Sequence, residues 1–586
     1  MRYTLSCVLI FITCFCEASP IIYVNQVAFD SQGAKMAVIR NDTKLPGATN
    51  FLLIDEAGKT VFTGVLKGPL RIEQWAKGAF FYQADFSVVA KAGKYKVSVK
   101  INGKQSLSDE FSISDNALAI TTLPSIIGYY NNQRANTPTE LAADKQLLLY
   151  GSDKTVDIHG GWCDASGDVS KYFSHLAYAN YMSPQQIPLV TWSMINAVQS
   201  IPATLNKLNM YDKTVDEAIY GADYMMRALS KDDYFYMIVF SYFNKDPKAR
   251  RVVGLRANSV TTNEYQCAFR EGGGMAIAAL ARISQLKKDG DFKSAEYLDA
   301  AKRAFAHLLI HNTEYDDDGK ENIIDDYCAL MAATELWIAT DSSFYQNEAR
   351  KRAHNIENRM STEGYFYAND NGRPYWHASD AGMPVVALSR YLSKEKNGAN
   401  RAVALNTIKK ALDYNLRVTA EVSNPFGYAR QTFRLKDKVQ DGFFIPHENE
   451  TGWWWQGENA RLGSLATAAI VGGRLVYPEK GGWRVKKELV AYASNQLSWI
   501  LGCNPYSICF MYQFGKNNVP YMSSNFGHGS GKGGISNGIT GGKDNADGSG
   551  IDYKTEDNGN EWRWTEQWLP HAAWFLQAIT AISEEK

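Results

Sequence analysis

From residue 21 to about residue 114 the apolar positions recur with a period of two. Tyr95, Val97 and Val99 alternate with Lys94, Lys96 and Ser98, the pattern of a half-buried strand. Phe51 to Ile54, then Glu56-Ala57-Gly58, then Val61-Phe62 predicts a hairpin. Several such runs at regular spacing predict a small antiparallel sandwich. After Ser114 the period becomes helical. Ser294 to Ile310 places Tyr297, Ala301, Ala304 and Leu308 on one face, with Ser294 as N-cap. Val485 to Leu501 is a second clear helix, with Gly502 at the C′ position. Met275–Leu286, Arg461–Val471 and His571–Ile582 are further helices. Helices joined by long polar, glycine-rich and aromatic-rich connections predict an all-helical toroid whose loops carry the chemistry.

Length and charge narrow the picture. The 586 residues favour two domains. Lys+Arg and Asp+Glu are 62 each, so no net field attracts nucleic acid or an acidic membrane surface. Aromatic residues make up 12%, including 33 Tyr and 14 Trp. That fits either a large core or a cleft in which rings stack on sugar faces. Arg2, the apolar run Leu5–Phe15 and Cys16-Glu17-Ala18-Ser19-Pro20 have the plan of an export signal ending near residue 19, and place the mature protein in the periplasm or outside the cell. The run is too short to span a bilayer, and no later segment has transmembrane character. A lipid anchor at Cys14 or Cys16 is the alternative, but Thr13 and Phe15 precede them where cleavage needs a small residue. Beyond that segment Cys163, Cys267, Cys328, Cys503 and Cys509 form neither a disulfide framework nor CxxC zinc spacing.

Three constellations could carry chemistry. In His159-Gly160-Gly161-Trp162-Cys163-Asp164-Ala165-Ser166-Gly167-Asp168, two carboxylates lie four residues apart in a glycine-rich turn. Two acids holding one water suit a general base; equally, Asp168 or Ser170 could cap a helix beginning near Ser170. In Asp552 to Gln567, Glu561 lies among amides and indoles, and a partly desolvated carboxyl keeps its proton to higher pH, as a general acid must. A solvated acidic loop is the alternative. In His447 to Asn459, Trp453-Trp454-Trp455 cannot all enter one core face, so at least one belongs in a cleft unless all three wedge the loop.

These motifs together resemble glycoside hydrolase family 9. Gly160-Gly161-Trp162-x-Asp164-Ala165 with Gly167-Asp168-x-x-Lys171-Tyr172 is similar to its signature. Phe269 to Gly274, Asn495 to Trp499, Leu501-Gly502, Asn504-Pro505 and Asn560-Glu561 agree in the same order. Val24-Asn25-Gln26-Val27 resembles the immunoglobulin-like module that often precedes this domain. The resemblance implies an immunoglobulin-like sandwich over residues 20–114, an (α/α)6 barrel over 115–586, and inversion by an acid–base pair. It implies Asp168 as base, Asp164 as support for the water, Glu561 as acid and Asp552 in a supporting role at most. Three departures stand out: Ser166 is inserted into the family's Asp-Ala-Gly-Asp, a His-x-Arg after Asn504-Pro505 is missing, and Arg563 and Gln567 replace a small residue and Asn.

Around these acids His159, Trp162, His377, Trp454, Trp455, His528 and Trp564 are the candidate sugar contacts, with Trp376 and Asp380 beside His377. His528 could replace the missing His-x-Arg, and His159 could instead serve a backbone hydrogen bond. The expected reaction is cleavage of β-1,4-glucosidic bonds in a soluble or branched glucan such as xyloglucan, since no recognisable cellulose-binding module follows. An exo-acting glucosidase or glucosaminidase of the same family and a non-catalytic glycan-binding protein are the rivals. No cofactor is required. Calcium at Asp316-Asp317-Asp318-Gly319 is the one metal reading, and the run lacks EF-hand spacing, so a polar turn is expected.

Overall fold

The computed structural model describes residues 19–175, 184–242, 246–256, 260–449, 458–524 and 527–585. Residues 1–18, which hold most of the expected export signal, and Trp454 and Trp455 lie outside the described residues.

The N-terminal part is two packed sheets. One has the order β1 (Ile21–Tyr23), β3 (Met36–Asn41), β7 (Phe80–Asp85), β6 (Lys67–Leu70). The other runs β2 (Ala28–Asp30), β10 (Phe111–Ser114), β8 (Gly93–Ile101), β4 (Asn50–Asp55), β5 (Thr60–Val65), with β9 (Lys104–Leu107) on β8. The hairpin forms where the pattern predicts it, turning through Gly58 at φ 76°. Tyr95, Val97 and Val99 point inward, where Phe51, Leu53, Ile39 and Tyr82 meet them. The alternate residues Tyr23, Val38 and Phe81 are buried too, against the helical domain. The first sheet is therefore apolar on both faces. Trp75 extends this interface: its Nε1–H donates to Ser549 O at 2.8 Å, and its ring packs against Phe426, Phe443 and Trp499.

The helical part is built on α1 (Ala117–Gln133), α2 (Ile187–Ser200), α3 (Tyr211–Ala228), α4 (Gly274–Ile283), α5 (Ser294–Tyr315), α6 (Ile323–Thr340), α7 (Ser343–Asn358), α8 (Met383–Lys394), α9 (Gly398–Ala420), α10 (Glu458–Val476), α11 (Lys487–Ile500) and α12 (Leu569–Ser583). The even-numbered helices form a closed ring, α2–α4–α6–α8–α10–α12 and back to α2, and the odd-numbered ones lie outside it. Sequence explains the division. Every residue of α4 and α12 is buried, and a helix apolar all round belongs in an interior. Helix α5 buries only one stripe, Tyr297, Ala300, Ala301, Ala304, Phe305, Leu308 and Asn312. This is an (α/α)6 barrel, preceded by the β domain.

Two local expectations are corrected. Ser294 is the first helical residue, not the cap; the preceding Lys293 N–H is bound by the Glu296 carboxylate at 2.7 Å. No helix begins near Ser170. Lys171–Tyr172 is instead a short strand, β11, because it pairs with β12 (Ile238–Phe240), which pairs in turn with β13 (Arg251–Arg256) and β14 (Val260–Thr262). Gly502 does follow α11, at φ 117°, and a Cβ there would stand 2.6 Å from Gln26 Nε2 of the β domain. No helix among the described residues is long and apolar enough to cross a membrane.

Candidate active site

The Asp164–Asp168 turn is folded by its glycines. Gly161 has φ 74°, and a Cβ there would meet the Tyr224 ring at 2.7 Å. Asp168 N–H donates to Ala165 O at 3.1 Å, closing a turn whose third residue is Gly167 at φ 87°. A left-handed third position is what a type II turn requires. The inserted Ser166 therefore completes a four-residue turn.

This turn pairs with the segment leading into α12. Ala165 and Trp568 form an antiparallel bridge. Ser166 N–H donates to Gln567 O at 2.9 Å, and Leu569 N–H to Asp164 O at 3.2 Å. Gln567 N–H returns to Ser166 Oγ at 2.9 Å, and Trp568 Nε1–H to Asp164 Oδ1 at 2.9 Å. Asp168 Oδ1 accepts Ser170 N–H at 2.9 Å and the Ser241 hydroxyl at 3.3 Å. Burial, then the charges of Asp168 and Glu566, push the Asp164 carboxyl well above the usual range. Burial first, then the same three carboxylates, raise the Tyr172 phenol, and Asp164 and Glu566 act likewise on Tyr129. Both hydroxyls are buried without a hydrogen-bond partner among the described residues. His175 stacks on Tyr172 at 4.7 Å and meets Trp568 edge-on. The carboxylate whose charge reaches the turn is thus Glu566, which lies between the short helix Trp562–Thr565 and α12.

Glu561 stands at the other end of that short helix. Its carboxylate is bound by backbone N–H groups: its own, then Asp557 at 3.3 Å and Gly559 at 3.0 Å. They hold its pKa below the ordinary value, the opposite of the raised value expected from its neighbours in sequence. Asp552 pairs its backbone with Thr540 and its carboxylate with Lys554 Nζ at 3.4 Å.

Several aromatic and histidine candidates serve the scaffold. Trp162 is fully buried between Tyr130 and Tyr220 and donates to Glu217 Oε1 at 2.7 Å, so it offers no face to a sugar. Trp564 is buried and donates to Thr540 Oγ1 at 2.9 Å. His159 pairs with Asp157 at 2.6 Å. His377 is buried; its Nδ1 accepts the N–H groups of Ser379 at 3.0 Å and Asp380 at 2.8 Å, and burial, then Arg373, lowers its pKa to about 3. The adjacent Trp376 does reach the site, in a cluster with Ala165, Phe433 and Trp568. Phe433 comes from a hairpin, β15 (Gln431–Leu435) and β16 (Lys438–Gly442).

His528 lies behind the turn. Its carbonyl accepts Gly167 N–H at 2.8 Å, its Nδ1 faces Asn132 O at 3.1 Å, and its Nε2 faces Glu140 Oε1 at 2.7 Å. Two acceptors require two ring protons, hence an imidazolium. Burial opposes that charge, but Cys163 and Glu140 outweigh it and raise the pKa to about 11. Glu140, Cys163 and His528 are close enough to share a metal ion, though a metal would have to displace the His528 proton. At the aspartate run, Arg270 occupies the place of a cation: it reaches Asp316 at 2.9 Å, Asp318 at 3.0 Å, Asp317 at 3.2 Å and Asp325 at 3.5 Å.

Sequence reasoning assigns no catalytic role to Glu566, names Tyr172 only within the signature, and does not single out Trp568, Tyr129, His175 or Ser241. One cue was available for Glu566: it stands three residues ahead of the strongly apolar α12, whereas Glu561 stands eight ahead.

Comparison with known proteins agrees with this architecture. A cellodextrinase of Butyrivibrio fibrisolvens is 29% identical over 165 residues, 26% of this chain and 27% of that protein. Endoglucanase 8 of Oryza sativa subsp. japonica is 23% identical over 383 residues, 63% of this chain and 66% of that protein. The matched part spans less than two thirds of either relative. The crystal structure of a metagenome-derived glycoside hydrolase family 9 endoglucanase has the same fold, with a TM-score of 0.68 at 17% identity over 97% of this chain and 99% of that one. Residues 17–104 match the cellulase N-terminal ig-like domain. Residues 121–566, three quarters of the chain, match the model of glycosyl hydrolase family 9, and the chain belongs to that family.

Proposed function

We propose that this protein is an inverting hydrolase of β-1,4-glucosidic bonds in β-glucan, with Asp168 as general base and Glu566, rather than Glu561, as general acid. The antiparallel pairing of the Asp164–Asp168 turn with the Glu566–Leu569 segment carries the reading. It fixes two carboxylate-bearing segments, 400 residues apart in the chain, against each other. Asp164 is buried among like charges, which favours its neutral form. Asp168 would take a proton from water as the oxygen attacks the anomeric carbon. Glu566 would protonate the departing glycosidic oxygen. Inversion needs about 6.5–9.5 Å between the two carboxyls, room for that water. Trp376, Phe433 and Trp568 supply apolar surface beside the turn. Hydrolysis in this family needs no cofactor.

The polymer we favour is a soluble β-glucan such as xyloglucan, cut internally. Product profiling on xyloglucan, barley glucan and carboxymethylcellulose, with NMR of the first-formed anomer, tests both parts. α-Configured oligosaccharides are expected. Retention of the β-anomer, or no action on any of the three, would defeat the proposal. The relative named a cellodextrinase supports a second reading, action on short chains. Release of monosaccharide alone would favour it.

A further inference from the structure

We infer that Ser166 is a positioning residue for the general acid, an inference that rests on Glu566 being that acid. Ser166 occupies the second position of the turn between Asp164 and Asp168 and is buried. Its backbone N–H and its Oγ both bind Gln567, the residue after Glu566: N–H to Gln567 O at 2.9 Å, and Oγ from Gln567 N–H at 2.9 Å. One residue thus holds both main-chain polar groups of its partner. The hydroxyl's own proton is directed to Met522 Sδ at 3.5 Å, which leaves the oxygen lone pairs turned to Gln567. Gln567 is fastened from the other side as well: its Oε1 accepts Gly531 N–H at 2.9 Å and its Nε2–H donates to Gly531 O at 3.3 Å.

The consequence is geometric. Glu566 closes the short helix, its N–H donating to Trp562 O at 3.1 Å and its carbonyl accepting Asn537 N–H at 2.9 Å, and Gln567 and Trp568 form the link to α12. The Ser166 contacts, made to the next residue, add a further anchor and refer this link to the turn that carries the base. A two-residue Ala-Gly link between the aspartates would have no side chain at this point to accept the Gln567 N–H. Ser166 touches no reacting atom; it acts through Gln567 on the placement of Glu566.

The test compares leaving groups. Cellotetraose needs its leaving oxygen protonated, whereas 2,4-dinitrophenyl β-cellobioside, whose phenolate leaves unaided, does not. Ser166→Ala keeps the backbone bond and removes the hydroxyl acceptor. It is expected to lose about tenfold or more in kcat on cellotetraose, since displacement by a fraction of an ångström to 1 Å costs up to about a hundredfold. Its KM and its rate on the dinitrophenyl substrate should stay within about twofold of wild type, and Ser166→Thr, which restores the hydroxyl, should recover most of the loss. Equal losses on both substrates, or no loss on cellotetraose, would overturn the inference. Glu566→Gln serves as reference. If it shows the leaving-group dependence and Ser166→Ala does not, only the role of Ser166 fails. If Glu566→Gln lacks that dependence, the acid assignment fails and this inference falls with it.

Discussion

The Trp568 indole donates to Asp164 Oδ1 at 2.9 Å, a bond that crosses from the segment of Glu566 to the turn of Asp168. Replacing Trp568 with Phe keeps an aromatic ring against Ala165 and Trp376 and removes the donor. A buried carboxyl that loses its partner costs about 1–3 kcal/mol. The bond lowers the Asp164 pKa, so its removal should drive that pKa further upward. Urea unfolding should show the loss of stability, and the pH–rate profile should change with it. Unaltered stability and an unaltered profile would mean that the bond contributes to neither.

Glu566→Gln should lower kcat on cello-oligosaccharides by about 10²–10⁴-fold, the span of general acid catalysis. Asp168→Ala should do the same through loss of the base. Glu561→Gln should keep turnover near wild type, because among the described residues its carboxylate is bound by the backbone of its own loop. Steady-state assays of the three variants decide between the two glutamates. A dead Glu561→Gln beside an active Glu566→Gln would reverse the assignment.

The His528–Glu140 pair gives stability a defined pH window. His528 titrates at about 11 in the folded protein, above its unfolded value near 6.5, so its contribution is complete below pH ~6.5 and disappears as pH rises through about 11. Glu140 is depressed to about 2, so its contribution is complete above its unfolded value near 4.3 and disappears as pH falls through about 2. The pair therefore stabilises most between pH ~4.5 and ~6.5. His528→Gln should flatten the alkaline decline of the melting temperature. It should also cost about 3–5 kcal/mol, because Glu140 is left buried without its cation. Melting curves from pH 4 to 10 would check both effects.

Arg270 makes the aspartate run independent of calcium. Its guanidinium meets Asp316, Asp317, Asp318 and Asp325, so chelator or added calcium should leave the melting temperature unchanged. Arg270→Met should destabilise by about 3–5 kcal/mol by stranding buried carboxylates. Differential scanning calorimetry with EDTA and with calcium chloride would measure both. A large EDTA effect on the wild type would contradict this account.

What could be read from sequence followed from local physics. The strand period at Lys94–Val99 and the helical stripe of α5 are properties of short windows, and they reappear in the fold. The strand at Lys171–Tyr172 was not legible, because its partner at Ile238–Val239 lies almost seventy residues away and only that pairing makes it a strand. The same limit separated Glu561 from Glu566. Composition around Glu561 suggested a sheltered carboxyl, but the shelter depends on which side of a one-turn helix faces the barrel. Trp162 and Trp564 show the converse: their neighbours in the chain did not disclose that packed helices and loops cover both rings.

The closed ring of inner helices has a consequence for biosynthesis. Helix α12 contacts both α10 and α2, so a nascent chain that has left the ribosome only as far as α11 holds an open arc with apolar edges. Glu566, Gln567 and Trp568 arrive with the helix that seals this arc. Hydrolytic competence and completion of the barrel should therefore appear together during synthesis, and no shorter intermediate should cut glucan.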